Sequence, residues 1–287
     1  MAKLKESMEL GELYKELRMA RGLRQKDITN SNLSTAQLSK FENGQSMLSA
    51  DKLLIAISGI HMSFAEFGHV LNHYEESEFF KLGNKIAELH SKQDIEGLKY
   101  LLEEYKDYET FDVYNRLNLL VIKNSIYSLD NSYIVNEDDK EFLATYLYGI
   151  EAWTEYELYL FCNTMELLSN EDLIFLSKTF IERDKLYQSI PTHQNVAKMT
   201  FLNLISAMIE RDQCFYGTYF IEKLEARLTY QDTLVFLTLK FLKLLMEFRQ
   251  SKGEHIDDVT KYISMIDMVG LTVLAEIFRA QLNKFIE

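Results

Sequence analysis

The sequence predicts an all-α chain, with a small N-terminal head followed by a right-handed solenoid of degenerate helix pairs. Three observations predict it. The 287 residues include 11 Gly and a single Pro, Pro191, the two residues that helix interiors tolerate least. Apolar residues recur at helical spacing in one stretch after another. From Glu78 onward the expected helix starts return with a nearly constant period. Apolar residues make up 47% of the chain, enough to bury a large core.

The head is built around Arg24 to Gly44. Before it, residues 8–21 repeat Leu10, Leu13, Leu17 and Met19 at helical spacing, a supporting helix. Arg24 to Gly44 then reads as two short helices joined by a tight turn. Ser34 caps the second helix, and Gln37 reaches back to the amide of the cap. Ile28, Leu38 and Phe41 form its apolar side; Thr35, Ala36, Gln37 and Lys40 lie opposite. A short helix with a small, polar and basic outer face is what a DNA major groove admits. Gly44 is expected to supply the helix stop. Ser49-Ala50-Asp51 opens a fourth helix and Ser63 to Glu66 a fifth, with a second capping box. These helices end near His73, which puts the head at residues 1–74 and the remainder at 75–287. His69 and His73 have the spacing of a metal pair, but no third ligand accompanies them. Surface histidines are expected, with no metal and no other cofactor.

In the long part, helix starts fall near Glu78, Phe111, Trp153, His193, Gln231 and Gly270, steps of 33 to 42 residues. Partner helices begin near Asp94, Glu137, Asn170, Cys214 and His255. Two helices per period of this length is the signature of a TPR-like solenoid, whose stacked hairpins enclose a concave channel. Asn131 to Asn136 is expected to be the one long loop in the array. Leu271, Leu274, Phe278, Leu282 and Phe285 put an apolar stripe on the last helix, either a buried face or a dimer surface.

The first pattern resembles a known family. Gln25, Ile28, Leu33-Ser34, Leu38-Ser39, Phe41-Glu42 and Gly44 are similar to the helix-turn-helix of phage-repressor-like (XRE-type) regulators. Thr29 stands in place of the small Ala of that pattern, and Asn32 in place of its turn Gly, where the resemblance implies a left-handed residue that Asn can supply. The resemblance implies that Gln25 touches the DNA backbone and braces the recognition helix. It extends further: Trp153-Thr-Glu-Tyr-Glu-Leu-Tyr-Leu-Phe-Cys-Asn163-Thr and the LSKFENG ending of the head helix are similar to stretches of the Rgg/RopB/MutR/GadR regulators. That resemblance covers essentially the full chain. It implies a quorum-sensing transcription factor that receives a short imported pheromone peptide.

Charge is consistent with a DNA-binding head. Net charge is −13, yet Met1 to His69 carries 9 Lys/Arg and 8 Asp/Glu, so the acidic load lies in the long part. A head this weakly basic binds double-stranded DNA weakly as one copy, so a homodimer on two half-sites is expected. Arg18, Arg21, Arg24 and Lys26 are either a solvated basic surface or phosphate contacts. With Gln25, Ser34, Thr35, Ala36, Gln37, Lys40 and Asn43 they make the expected DNA surface. Cys162 and Cys214 form no close pair, which excludes a cysteine zinc site and a disulfide scaffold. MAKLKESMELGEL holds no apolar run of signal length, and Leu234 to Phe248 is too short and too charged to span a bilayer. A cytoplasmic location without membrane insertion is therefore expected.

No catalytic motif is found, and the acidic runs open helices, where carboxylates are favoured without catalysis. No enzyme is expected. The first helix of each pair should line the channel, and there it carries Asn115, Arg116, Asn118, Lys123, Trp153, Tyr156, Asn163, Asn195 and Asn203. Asparagine amides pair with an extended peptide backbone, aromatic walls take apolar side chains, and Arg116 or Lys123 takes a carboxylate. The competing reading makes each Asn a surface or inter-repeat residue and Trp153 a core residue. A solenoid that binds a protein partner instead of a peptide is the alternative function.

Overall fold

The structure, a computed structural model, describes residues 7–71, 78–106, 112–183 and 190–286, and every regular element among them is helical. Contacts divide the chain into two compact units, Met1–Leu82 and Gly83–Glu287. The expected boundary at 74/75, His73 and the helix start at Phe111 lie outside the described residues.

The first unit holds five short helices: α1 (Ser7–Ala20), α2 (Gln25–Ile28), α3 (Thr35–Glu42), α4 (Ala50–Gly59) and α5 (Phe64–Leu71). Their stripes meet in one core of Leu10, Tyr14, Ile28, Leu33, Leu38, Phe41, Ile57, Ile60 and Phe67. Tyr14 packs its ring 5.8 Å from Phe41 and donates its hydroxyl to the Ala56 carbonyl at 2.9 Å. Gly11 lets α1 press on α3: a Cβ there would sit 1.8 Å from the Phe41 carbonyl oxygen.

One buried carboxylate ties three of these helices. Glu42 accepts from Arg18 Nε at 2.6 Å and Nη2 at 2.8 Å, and from Gln25 Nε2 at 2.8 Å. Arg18 Nη1 also donates to the Leu23 carbonyl. Glu42 thereby fixes α3 to α1 and to the start of α2. The Arg18 and Glu42 side chains are 9% and 0% exposed. A bidentate, desolvated pair of this kind is costly to break and cheap to replace whole.

The second unit continues with α6 (Glu78–Ser91), which begins just before it, α7 (Ile95–Lys106), α8 (Val113–Leu129) and α9 (Glu137–Gly149). Next come α10 (Glu155–Cys162), a 3-10 turn (Met165–Leu167), α11 (Asn170–Arg183), α12 (Pro191–Glu210) and α13 (Cys214–Glu225). The last three are α14 (Thr233–Gln250), α15 (Ile256–Met268) and α16 (Thr272–Asn283). The start of α6 and those from α9 onward fall within two residues of the positions expected from the period. Their caps explain why. Asn136 accepts the Asp139 amide, Thr154 and Glu157 form a full capping box, and Ser169 accepts the Asp172 amide. The 130–136 loop joins α8 to α9, but residues 226–232 between α13 and α14 make an equally long connector, so it is not alone.

First helices stack on first helices: α10 on α12, and α12 on α14. Trp153, Phe161, Phe180 and Phe201 form an aromatic run through α10, α11 and α12, with centroids 5.1 to 6.0 Å apart. At the far end Phe278 of α16 stacks on Phe241 of α14 at 4.1 Å. The apolar stripe of the last helix is therefore mainly a core face, with Phe278 and Leu282 buried.

Among the described residues, four helices end on a left-handed residue that is not glycine: His61, Gln93, Asp212 and Lys252. Each closes the same pair of backbone bonds, as where Gln213 N reaches the Met208 carbonyl at 2.7 Å.

Removing Glu42 should show how far the head depends on it. Glu42→Ala leaves Arg18 buried without a counter-ion and should destabilise the first unit by about 3–5 kcal/mol. The double variant Arg18→Met/Glu42→Leu should return near the unmutated stability. Chemical denaturation followed by circular dichroism checks this; equal losses in both variants would contradict it.

Candidate functional sites

In the head, the α2–α3 stretch makes a compact presenting surface. α2 opens with Asp27 accepting from the Arg24 amide at 2.8 Å. The turn that follows is not left-handed at Asn32. Instead Asn30 Oδ1 accepts from the Asn32 and Leu33 amides at 2.8 and 3.1 Å, and Asn30 N donates to the Leu33 carbonyl. The amide side chain two residues earlier does the work assigned to glycine in the resembled pattern. Thr29 and Thr35 hydroxyls lie 3.2 Å apart across the turn. The Ser34–Gln37 capping box is complete, with Gln37 N donating to Ser34 Oγ and Ser34 N to Gln37 Oε1. Gln37 keeps its amide NH2 for another partner. Gly44 closes α3 at φ 68°, with its amide on the Phe41 carbonyl and that of Gln45 on Lys40.

Ser34, Thr35, Ala36, Lys40 and Asn43 are exposed along the outside of α3, and Gln37 is half-buried. Asn43 donates to the Ser39 carbonyl at the helix end. Arg21, Arg24 and Lys26 are exposed beside them. Arg24 pairs with Asp27, which holds that carboxyl below its usual range. Gln25 is turned inward on Glu42. Arg18 departs from the expectation of a surface cation: it is buried and spent on Glu42, because a guanidinium at that depth needs its counter-ion.

In the repeat unit the candidate residues separate into two groups. Arg116 and Lys123 both bond Asp139, a buried carboxylate near the start of α9. Burial works against its charge, yet the hydrogen bonds from Lys123 and Arg116 win and hold it below the usual carboxylate range. Arg116 further lies 4.1 Å over the Phe142 ring. These two cations already have a carboxylate, supplied by the protein itself. Trp153 is 4% exposed and belongs to the aromatic run. Asn163 closes α10, its side chain donating to the Tyr159 carbonyl at 2.7 Å. Glu157 is likewise structural, accepting from Thr154 and from the Tyr146 hydroxyl. The stretch from Trp153 to Thr164 thus encodes packing and capping, with Tyr156 turned out of it.

A second group comes together. Tyr156 meets Tyr114 edge-on at 5.4 Å and donates toward Asn118 Oδ1 at 3.5 Å. Asn203 donates to Cys162 Sγ at 3.0 Å, and Gln281 of α16 reaches the Ser206 hydroxyl. Tyr159 lies one turn along α10 from Tyr156 and packs over Gly83. A row of phenols, amides and hydroxyls therefore runs from α8 through α10 and α12 to α16. Burial pushes the Tyr156 and Tyr159 phenols and the Cys162 thiol up, so all three stay neutral. Asn115 donates to the Tyr105 carbonyl, and Asn195 is exposed on the first turns of α12. Tyr114, Tyr159, Ser206 and Gln281 were not singled out from the sequence. Tyr114 stands four residues before Asn118 and Ser206 three after Asn203, helical spacings that put them on the faces of those asparagines.

Among the described residues no three His, Cys, Asp or Glu side chains converge as a metal site, and no single helix is long and apolar enough to cross a membrane.

Comparison with known proteins agrees with this architecture. A Streptococcus dysgalactiae SHP pheromone receptor, a single-residue variant of Rgg2, is 22% identical, with TM-score 0.74 over 98% of this chain and 99% of that one. A putative transcriptional regulator of Listeria monocytogenes EGD-e matches at TM-score 0.78 and 18% identity over 96% of both chains. The PrgX/iCF10 complex matches at 0.66 and 13% over 97% and 96%. These likenesses establish the all-helical fold, a helix-turn-helix head with a TPR-like repeat domain. Residues 98–280 match the family described as HTH-type transcriptional regulator Rgg, C-terminal domain, a family of regulators rather than enzymes. That match spans more than half of the sequence, and the chain belongs to the Rgg family of transcriptional regulators.

Proposed function

We propose that this transcriptional regulator acts in the cytoplasm as a homodimer, binding double-stranded promoter DNA through α2–α3 under the control of a short hydrophobic peptide. The observation that carries the peptide reading is the neutral row from Tyr114 to Gln281 on the stacked first helices. Its amides and hydroxyls match the donors and acceptors of an extended backbone, and its phenol rings take apolar side chains. Asn115 follows Tyr114 on α8 and Asn195 precedes Asn203 on α12. Arg116 and Lys123 are committed to Asp139, Trp153 to the aromatic run and Asn163 to the end of α10. The matched Rgg2 is named a pheromone receptor and PrgX was solved with iCF10, which favours the same ligand class here. In this reading residues 1–74 form the DNA-binding domain and 75–287 the peptide-sensing and dimerising one.

On the DNA side, Ser34, Thr35, Ala36, Gln37, Lys40 and Asn43 face the groove, with Arg21, Arg24 and Lys26 on phosphates. Gln25 fixes the angle of α3 by way of Glu42. The peptide would act by favouring one curvature of the repeats, which resets the spacing of two recognition helices. Dimerisation fits the apolar surface at the C-terminal end, where Met268 and Val273 are 84% and 72% exposed.

Gln37→Ala should lose about 1–3 kcal/mol of discrimination between operator and unrelated DNA, whereas Arg21→Ala should weaken binding to all sequences and flatten the salt dependence. Electrophoretic titrations on both DNAs at several salt concentrations separate the two. An equal effect of Gln37→Ala on both DNAs would rule out its base contact.

Calorimetric titration with short hydrophobic peptides should give saturable binding that shifts operator affinity. Tyr156→Phe/Asn203→Ala should weaken it by about tenfold or more with the circular dichroism spectrum unchanged, since both side chains lose polar contacts while the packed ring at 156 is kept. Absence of heat together with unchanged DNA affinity would overturn the peptide reading.

A further inference from the structure

The second helices of these pairs, α9, α11 and α13, are less tightly stacked than the first helices, and two adjoining grooves open beside α11. One, of about 500 Å³, lies between α9 and the 166–172 segment; the other, of about 400 Å³, lies between α11 and the start of α13. Their divide is aromatic. Tyr148 and Phe175 stand 5.3 Å apart, 43% and 55% exposed, with the Tyr148 hydroxyl on Asp172. Beyond them Tyr216 lines the second groove, and Phe215 beside it is 80% exposed. Exposed rings gathered across three helices of one face are the anchors protein interfaces use.

The walls are acidic. Glu137, Glu141, Glu166, Glu171 and Asp172 line the grooves against only Lys140 and Lys178. Lys140 is taken by Glu137, and Lys178 lies over the Tyr216 ring. Glu141 and Glu171 are exposed and form no ion pair among the described residues. We propose that this outer face docks a cationic, amphipathic segment of another protein, with apolar side chains seated against Tyr148 and Phe175 and Lys or Arg side chains on Glu141 and Glu171. The charge selects this occupant. Nucleic acid and anionic lipid are repelled by the carboxylates, and a second copy meeting this face by two-fold symmetry would set the same carboxylates against each other. The site is separate from the neutral inner row, so its occupant does not compete with the peptide proposed there.

The test uses the full-length protein and a fluorescein-labelled synthetic helical peptide with lysines along one face and leucines along the other, read by fluorescence anisotropy. Binding should be saturable and weakened by salt. Glu141→Lys/Glu171→Lys and, separately, Phe175→Ala should each weaken it by about tenfold or more. The charge-matched Asp257→Lys/Asp258→Lys on α15 should leave it unchanged, and all variants should keep their circular dichroism spectra. Saturating the inner row with a hydrophobic peptide that it binds should leave the affinity unaltered. The proposal is overturned if the α15 variant loses as much as the groove variant, if the same peptide with glutamates for lysines binds equally, or if the groove variants bind as well as the unmutated protein. It is also overturned if Phe175→Glu changes the oligomeric state of the free protein in sedimentation, since the face then belongs to self-association.

Discussion

The carboxylate of Glu42 sets the geometry of the head. Three hydrogen bonds reach it from two other segments, the two from Arg18 buried and the one from Gln25 partly buried. Desolvating a carboxylate and a guanidinium is so unfavourable that neither is tolerated without the other in place. The arrangement therefore has few alternatives: if α3 slides or rotates, Arg18 and Glu42 are stranded together. What faces outward from α3 is fixed as a consequence of what is held inward. Gly11 adds a steric limit on the same contact, since any larger residue would push α1 away from Phe41.

The repeat unit uses its charges in a similar way. Asp139 collects Arg116 and Lys123, Asp232 collects Lys198, and Arg211 donates to the carbonyls of Met165 and Leu168, tying the 3-10 turn to the end of α12. The first ties α8 to its partner α9 within one hairpin, and the other two join neighbouring hairpins; together they hold the stack in register where aliphatic packing alone would let it shift. The inner row is left to neutral groups. Unlike an ion pair, an amide or phenol carries only a modest desolvation penalty when a ligand covers it, provided the ligand supplies a partner. A surface of this kind suits a ligand whose own polar groups are mostly backbone.

Local signals made the helices legible in the sequence. Ser34 with Gln37 and Ser63 with Glu66 are short-range patterns whose geometry follows from adjacent residues alone, and the structure places a cap at each. Long-range commitments were not legible. Arg18 reads as a surface cation until Glu42, twenty-four residues later, is seen beneath it. Arg116 and Lys123 read as carboxylate receivers because Asp139 sits in an acidic run that looks like an ordinary helix start. Trp153 and Asn163 each read as either a site or a structural residue in the sequence, and the structure shows the first buried and the second capping α10. The Asn30–Leu33 turn shows a subtler limit. The chain reached the same turn by a side-chain hydrogen bond instead of a left-handed residue, and a search for glycine substitutes looks in the wrong place.

Removing committed charges also changes the electrostatics of the proposed DNA complex. With Arg18 spent on Glu42, the cations proposed for phosphates are Arg21, Arg24 and Lys26, all exposed, and of these only Arg24 is in an ion pair among the described residues, an exposed one with Asp27. Three phosphate contacts per head give a salt slope of about −3 for one copy and between about −5 and −6 for two, since each neutralised phosphate contributes about −0.9. One head at physiological salt is then in the range of weak, sequence-indifferent association. In the proposed homodimer, two heads joined through acidic repeat units, which DNA repels, would gain their affinity only when both half-sites are engaged together. A regulator built this way has little hold on DNA outside its operator, and any change in the repeats that alters the distance between the heads is felt directly in operator affinity.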